Sequence, residues 1–339
     1  MNALFRCDAT ADIGFGHLSR CIALAEALRI CGVRSTYAGK FDKAAQDQID
    51  IAGFDTVCLA HEVNTATVDQ ELAGAIADGG IDLLVLDSYR ADEGYLSGIR
   101  SLGVALIVID DFGSLEAYPC DVILNFTWDA GSLGYPDDPV LLLGPEYLLA
   151  RRGLVEVREQ SIGRERPREI ENLLIAIGGS DPKGIAKRLT HLLQNNYSRL
   201  CLRAIAEEGG DLAAMLNEFA PGSGVIKRQP DLSQSLLWAD AALTGGGLIK
   251  YECAYMGVPA AAIAQNEGQD GESQSFARAG LVHDLGLADT VDDEKLAASL
   301  HSFLSDAELR TRLSARARAV FPPDTTAKAA KAILEAVQR

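Results

Sequence analysis

The chain has 339 residues, more than one hydrophobic core ordinarily holds, so two domains are expected. Its 31 Lys and Arg against 48 Asp and Glu leave a net charge of −17, which argues against a general nucleic-acid or anionic-membrane binder. Seven cysteines without a C-x-x-C pair give neither a zinc module nor a thioredoxin-type motif, and no apolar run reaches transmembrane length. With no signal-type segment after Met1, a cytoplasmic protein without membrane insertion is expected.

In chain order, residues 2–7 read as a first β-strand. They run into Ile13-Gly14-Phe15-Gly16-His17-Leu18-Ser19-Arg20-Cys21, which opens a helical pattern over 18–28. Gly14 and Gly16 permit a sharp turn and close approach of a ligand. The helix start offers unpaired N–H groups to an anion, and its dipole keeps His17 neutral and able to accept a proton. Cys7 and Cys21 flank the loop as small buried side chains. Ser19 stands where a dinucleotide fingerprint needs its third glycine, and no Walker lysine pattern occurs, so no cofactor is expected.

Short apolar runs at 35–38, 56–59, 83–87, 105–109 and 122–125 alternate with helical segments at 42–52, 69–78 and 92–101. This is the pattern of βαβ units and a buried parallel sheet. Asp87-Ser88-Tyr89 and Asp110-Asp111 end two of the strands, where open α/β sheets place ligands. Asp110 and Asp111 there are either turn caps or substrate hydrogen-bond acceptors.

A charged stretch near 151–170 reads as a linker, or a surface helix plus linker. A second βαβ series follows, with strands near 173–177, 200–205, 224–227, 241–244 and 259–263 and helices at 292–304, 306–320 and 325–337. Gly178-Gly179-Ser180-Asp181-Pro182 forms a glycine turn, with Asp181 as N-cap and Pro182 at the first helical position; Gly179 or Ser180 is equally placed to meet a ligand. Gly245-Gly246-Gly247-Leu248-Ile249-Lys250-Tyr251-Glu252 leads a strand into a helix, a place for a phosphate or diphosphate on backbone N–H groups. Glu252, about one and a half turns on, is placed for ribose hydroxyls, the alternative being a solvent-facing acid. Gln265 and Asn266 follow the next strand, within reach of sugar hydroxyls. His61, His191, His283 and His301 have no clustered partners, look like surface or helix residues, and suggest no metal.

Together these motifs resemble the PseG and SpsG nucleotide-sugar hydrolases, within the wider glycosyltransferase-B group that includes MurG. The matching elements are Arg6-x-Asp8, Ile13-Gly14-x-Gly16-His17-x-x-Arg20-Cys21, Asp87-x-Tyr89, Ile109-Asp110-Asp111, Gly178-Gly179-Ser180-Asp181, the glycine–Glu252 helix and Ala264-Gln265-Asn266. The resemblance implies an α/β protein of two Rossmann-like doubly wound domains facing a cleft, the GT-B fold. The expected divisions are 1–150 for sugar and catalysis, 151–170 as linker, and 171–339 for the nucleotide. It implies hydrolysis of a UDP-linked diacetamido-trideoxy sugar with inversion, the alternative being a UDP-sugar glycosyltransferase. His17 would act on the attacking water, and Tyr89 and Asn266 would contact sugar or water. Arg6, Asp8, Gly14, Gly16, Asp110, Gly179, Ser180, Gly245, Gly246, Gly247, Leu248, Glu252 and Gln265 would line the substrate. Lys250 departs from the family pattern; it adds a phosphate contact or points to solvent.

Overall fold

The computed structural model describes residues 1–10, 12–63, 70–179, 181–207 and 209–338. They form two compact units, 1–152 with 324–339, and 153–323.

The first unit carries β1 (Asn2–Cys7), α1 (Gly16–Ile30), β2 (Arg34–Gly39), α2 (Lys43–Ala52), β3 (Asp55–Cys58), α3 (Gln70–Gly79), β4 (Leu83–Asp87), α4 (Glu93–Arg100), β5 (Ala105–Ile109), β6 (Val122–Asn125) and β7 (Val140–Leu143). All pair in parallel in the order β3-β2-β1-β4-β5-β6-β7. Every residue of β4 is buried, which is why it reads as an unbroken apolar run rather than an alternating one. Asp42 and Asp92 cap α2 and α4 through their side chains.

The second unit carries α5 (Arg152–Gly163), β8 (Asn172–Ala176), α6 (Ile185–Tyr197), β9 (Cys201–Ala206), α7 (Gly210–Leu216), β10 (Gly224–Lys227), α8 (Ser233–Trp238), β11 (Ala241–Gly245), α9 (Leu248–Tyr255), β12 (Ala260–Ala264), α10 (Glu267–Arg278), β13 (His283–Leu287), α11 (Asp293–Ser305) and α12 (Ala307–Val320). Its sheet is parallel in the order β10-β9-β8-β11-β12-β13. In each sheet the order reverses once, beside the first strand: between β1 and β4, and between β8 and β11. Such a switch point opens a crevice at the carboxyl ends of the strands.

Two expected boundaries change. The last helix, α13 (Thr325–Val337), belongs to the first unit, where Thr326 bonds the carbonyls of Leu148 and Ala150 and Lys328 pairs with Glu146. The stretch expected as a linker, or a surface helix plus linker, does carry a helix, α5, and from residue 153 on it is part of the second unit. Buried Arg158 on α5 donates to the carbonyls of Tyr255 and Phe321, and Arg164 takes the carbonyls of Leu237, Trp238 and Ala239 at the end of α8. Arginine's forked donors satisfy carbonyls that a helix end leaves over, so a charge-rich sequence can be structural. Two strands, β7 and β13, are additional to those read from the sequence. His283 lies on β13, not on a helix or the open surface, and stacks on Phe303.

Candidate functional site

The first switch point joins the loop after β1 to the end of β4. Gly14 takes φ +87°, a conformation side chains rarely adopt, and so allows the turn. Gly16 has open space where a Cβ would stand, so the fold itself does not demand glycine there. Helix α1 starts after Phe15 with no side-chain cap and no acid in its first turn. His17 follows, with its Nδ1 2.6 Å from Asp87 Oδ1. Asp87 ends β4 with no exposed surface.

Arg20, one turn beyond His17, fixes this contact. Its Nε lies 2.6 Å from Asp87 Oδ2, and a terminal nitrogen lies 2.7 Å from Oδ1. The other terminal nitrogen bonds both oxygens of Asp111 at 2.8 Å. Burial alone would raise the Asp87 carboxyl, but the Arg20 charge and His17 outweigh it and hold Asp87 far below the usual carboxylate range. An ionised acceptor at Nδ1 orients the ring as the Nδ1–H tautomer and leaves Nε2 as its basic nitrogen. Tyr89 donates to Asp111, and its ring meets His17 edge-on with centroids 4.5 Å apart. Phe112 also packs on Tyr89, with centroids 4.9 Å apart, and both aromatics are exposed. Burial pushes the Cys21 thiol well up, so it supplies no nucleophile.

The structure thus brings His17 and Tyr89 together, sets the strand-end Asp87 against His17, and adds Arg20 and Phe112, to which the sequence reading gave no role; Asp111, read as a turn cap or a substrate acceptor, instead binds Arg20 and Tyr89. An acid ending an apolar strand and an arginine three residues after the histidine were the available signals.

Three expected substrate contacts are engaged within the protein. Arg6 is buried and pairs with Asp8 at 2.5 Å, while Asp8 accepts the Lys40 and Val63 amides at 2.9 and 2.8 Å. This pair ties the ends of β1 and β2 to the segment after β3. Asp110 accepts the hydroxyls of Tyr118 and Tyr135 at 2.6 and 2.8 Å and the Gly113 amide at 2.9 Å, which is the turn-capping alternative. Burial and the Asp110 carboxylate push both tyrosines well above the ordinary range.

The second switch point carries the glycine helix. A Cβ at Gly245 would stand 2.1 Å from the Ile177 carbonyl oxygen, and one at Gly246 would stand 2.9 Å from Gln269 Cβ. The close approach that requires these two glycines is therefore made by the protein's own chain. Gly247 has more room and is the N-cap of α9, with no side-chain cap. Leu248 is half-buried. Glu252 is 2% exposed, which excludes the solvent-facing alternative. Lys250 takes neither expected course: it is buried, and its amine contacts the Gly246 carbonyl and Glu272.

Around the same strand ends, the Gly179 carbonyl accepts from Arg228, and Ser180 lies outside the described residues. Asp181 does cap a helix, but from farther back, accepting the Ile185 and Ala186 amides at 2.8 Å each. Gly184, at φ +64°, makes the turn into α6, so Pro182 precedes the helix instead of occupying its first position. Gln265 donates through its amide to the Ile177 carbonyl. Asn266 caps α10, accepting the Gln269 amide at 3.0 Å, and is exposed. The expected catalytic asparagine thus has a structural task first. Among the described residues no three His, Cys, Asp or Glu side chains group as metal ligands.

Two parallel-sheet units with strand-end sites define the class: the protein has the two-domain Rossmann-like GT-B fold. Solved structures of that fold superpose along its whole length. MurG from Acinetobacter baumannii does so with TM-score 0.71 at 15% identity, covering 98% of this chain and 99% of its own. A UGT transferase from Siraitia grosvenorii in complex with UDP gives TM-score 0.63 at 13% identity, covering all of both chains. In sequence, the chain is similar to the spore coat polysaccharide biosynthesis protein SpsG of Bacillus subtilis, 25% identical over 323 residues and covering 90% of each. It is also similar to the UDP-2,4-diacetamido-2,4,6-trideoxy-beta-L-altropyranose hydrolase of Campylobacter jejuni, 24% identical over 195 residues, 56% of this chain and 64% of that protein. An uncharacterized protein of Methanocaldococcus jannaschii is 23% identical over 274 residues, 77% of this chain and only 55% of that protein's length. No family model matches the chain. No helix among the described residues is long and apolar enough to cross a membrane.

Proposed function

We propose that this protein is a nucleotide-sugar enzyme of sugar biosynthesis, and specifically a hydrolase that cleaves a UDP-linked amino-deoxy sugar at its anomeric carbon. The observation that carries the hydrolytic reading is His17 Nδ1 on the ionised Asp87, which presents Nε2 as a base. Water is a poor nucleophile, and a positioned base accelerates its attack by about 10²–10⁴-fold. Its oxygen bonds to C1, its proton passes to His17 Nε2, and the C1–O bond breaks with its electron pair leaving on UDP. Asp87 stabilises the resulting imidazolium. The diphosphate's charge is met by backbone N–H groups at the start of α9, without a metal. Gly247 and Leu248 border the diphosphate, and Glu252 serves the ribose.

The relatives named for a sugar-nucleotide hydrolase and for polysaccharide biosynthesis support this reading. The same donor site would serve a transferase, so the test separates the two. UDP release from a panel of UDP-amino sugars in water alone should yield UDP and free sugar in equal amounts. His17→Ala should abolish release while leaving UDP affinity unchanged. Release that begins only when an acceptor alcohol is added would replace hydrolysis by transfer.

A further inference from the structure

Lysine is rarely buried without a partner, yet Lys250 is 1% exposed on the first turn of α9. Its amine donates to the Gly246 carbonyl and to one oxygen of Glu272, while the Tyr251 hydroxyl donates to the other oxygen. Glu272 belongs to α10, so these contacts tie the glycine loop to the neighbouring helix. The Gly246 carbonyl precedes the N-cap residue and has no place in the helical hydrogen-bond ladder. Two adjacent glycines would otherwise let the peptide between them rotate with little resistance.

In a planar trans peptide the C=O and the N–H point in opposite directions, and no peptide bond described here is cis. A Gly246 carbonyl turned toward the buried amine therefore turns the Gly247 N–H away from it, and Gly247 itself is half-exposed. That N–H adjoins the uncapped start of α9.

The geometry points to Lys250 as a positioning residue: it locks the Gly246–Gly247 peptide so that the backbone N–H groups at the start of α9 face an incoming diphosphate. It touches no substrate. Glu272 neutralises the amine, so its contribution is orientation rather than net charge. The inference rests on the reading of the second unit as the UDP-binding unit.

The test is calorimetric titration of the full chain with UDP and with uridine. Two paired variants are compared with the wild type, Lys250→Met with Glu272→Gln and Lys250→Gln with Glu272→Gln, each checked by thermal melting. Neither leaves a buried charge unpaired, which protects folding. The methionine pair should lose about tenfold in UDP affinity, the scale of one lost hydrogen bond to a charged group, with uridine affinity unchanged. The glutamine pair, whose amide still donates to the Gly246 carbonyl, should recover most of that loss. Equal weakening of UDP and uridine, or an undiminished preference for UDP in the methionine pair, would overturn the positioning role alone. A wild type with no preference for UDP over uridine would overturn the nucleotide reading and this inference with it.

Discussion

Asp87→Asn isolates the orientation argument in one atom. The carboxylate is buried and receives His17 Nδ1 at 2.6 Å and Arg20 at 2.6 and 2.7 Å. Asparagine keeps the shape but exchanges one acceptor oxygen for an NH2, which must then face a guanidinium or an imidazole N–H. Breaking a buried ion pair from one side costs about 3–5 kcal/mol. Arg20 keeps both bonds to Asp111, at 2.8 Å, so the lower end, about 3 kcal/mol, is expected here. For a unit of this size that is a fall in Tm of about 6–12 °C. Turnover should fall much further, by about 10⁴, because the imidazole loses both its tautomer and the partner of its charged form. The assay is UDP release from the preferred UDP-sugar, followed well below the variant's melting midpoint. A folded Asp87→Asn protein within about tenfold of wild-type turnover, a barrier change near 1.4 kcal/mol, would refute the reasoning.

Other predictions follow from single contacts. Glu252→Ala should weaken UDP binding by about 1.5–3 kcal/mol through loss of a hydrogen bond to a charged group, and unchanged titration curves would remove Glu252 from the nucleotide site. Gly245→Ala drives a Cβ to 2.1 Å from the Ile177 carbonyl and should destabilise the second unit by about 1–3 kcal/mol or more, whereas Gly16→Ala meets open space and should leave the denaturation midpoint in place. Equal midpoints for the two would contradict the packing account. Burial lowers the His283 pKa in the folded state, so the stability it contributes is present above the unfolded value of about 6.5 and is lost as pH falls through the folded one. Asp87 is likewise depressed, and its contribution is lost only at far lower pH. Melting curves between pH 7 and 5 should therefore show an acid decline that His283→Gln flattens; an identical slope in that variant would exclude His283 as its source.

Much of the architecture was written locally. Runs such as 83–86 and Ala105–Ile109 are apolar throughout because both faces of a parallel strand are covered, so composition alone marks them. The turn before α1 declared itself through glycines between a strand and a helix, and His17 stands at the helix start, where that reading put it. The sequence also showed acids at strand ends, since such positions need only a local pattern to be seen.

Which strand lies beside β1 is not a local property. Asp87 is 70 residues from His17, and only the sheet order that puts β4 next to β1 makes it the histidine's partner. Arg6, Asp8 and Asp110 have the composition of a site, yet tertiary structure pairs Arg6 with the Asp8 carboxylate and surrounds Asp8 and Asp110 with backbone amides and hydroxyls that donate to them. Lys250 could have faced solvent or phosphate as far as its neighbours in sequence were concerned; Glu272, on the next helix but one strand away, drew it inward. Local pattern determines which elements form, because strand and helix preferences act over a few residues. Partner choice for a buried charge is decided across the sheet, because a desolvated ion takes whichever counter-charge the packing brings within reach.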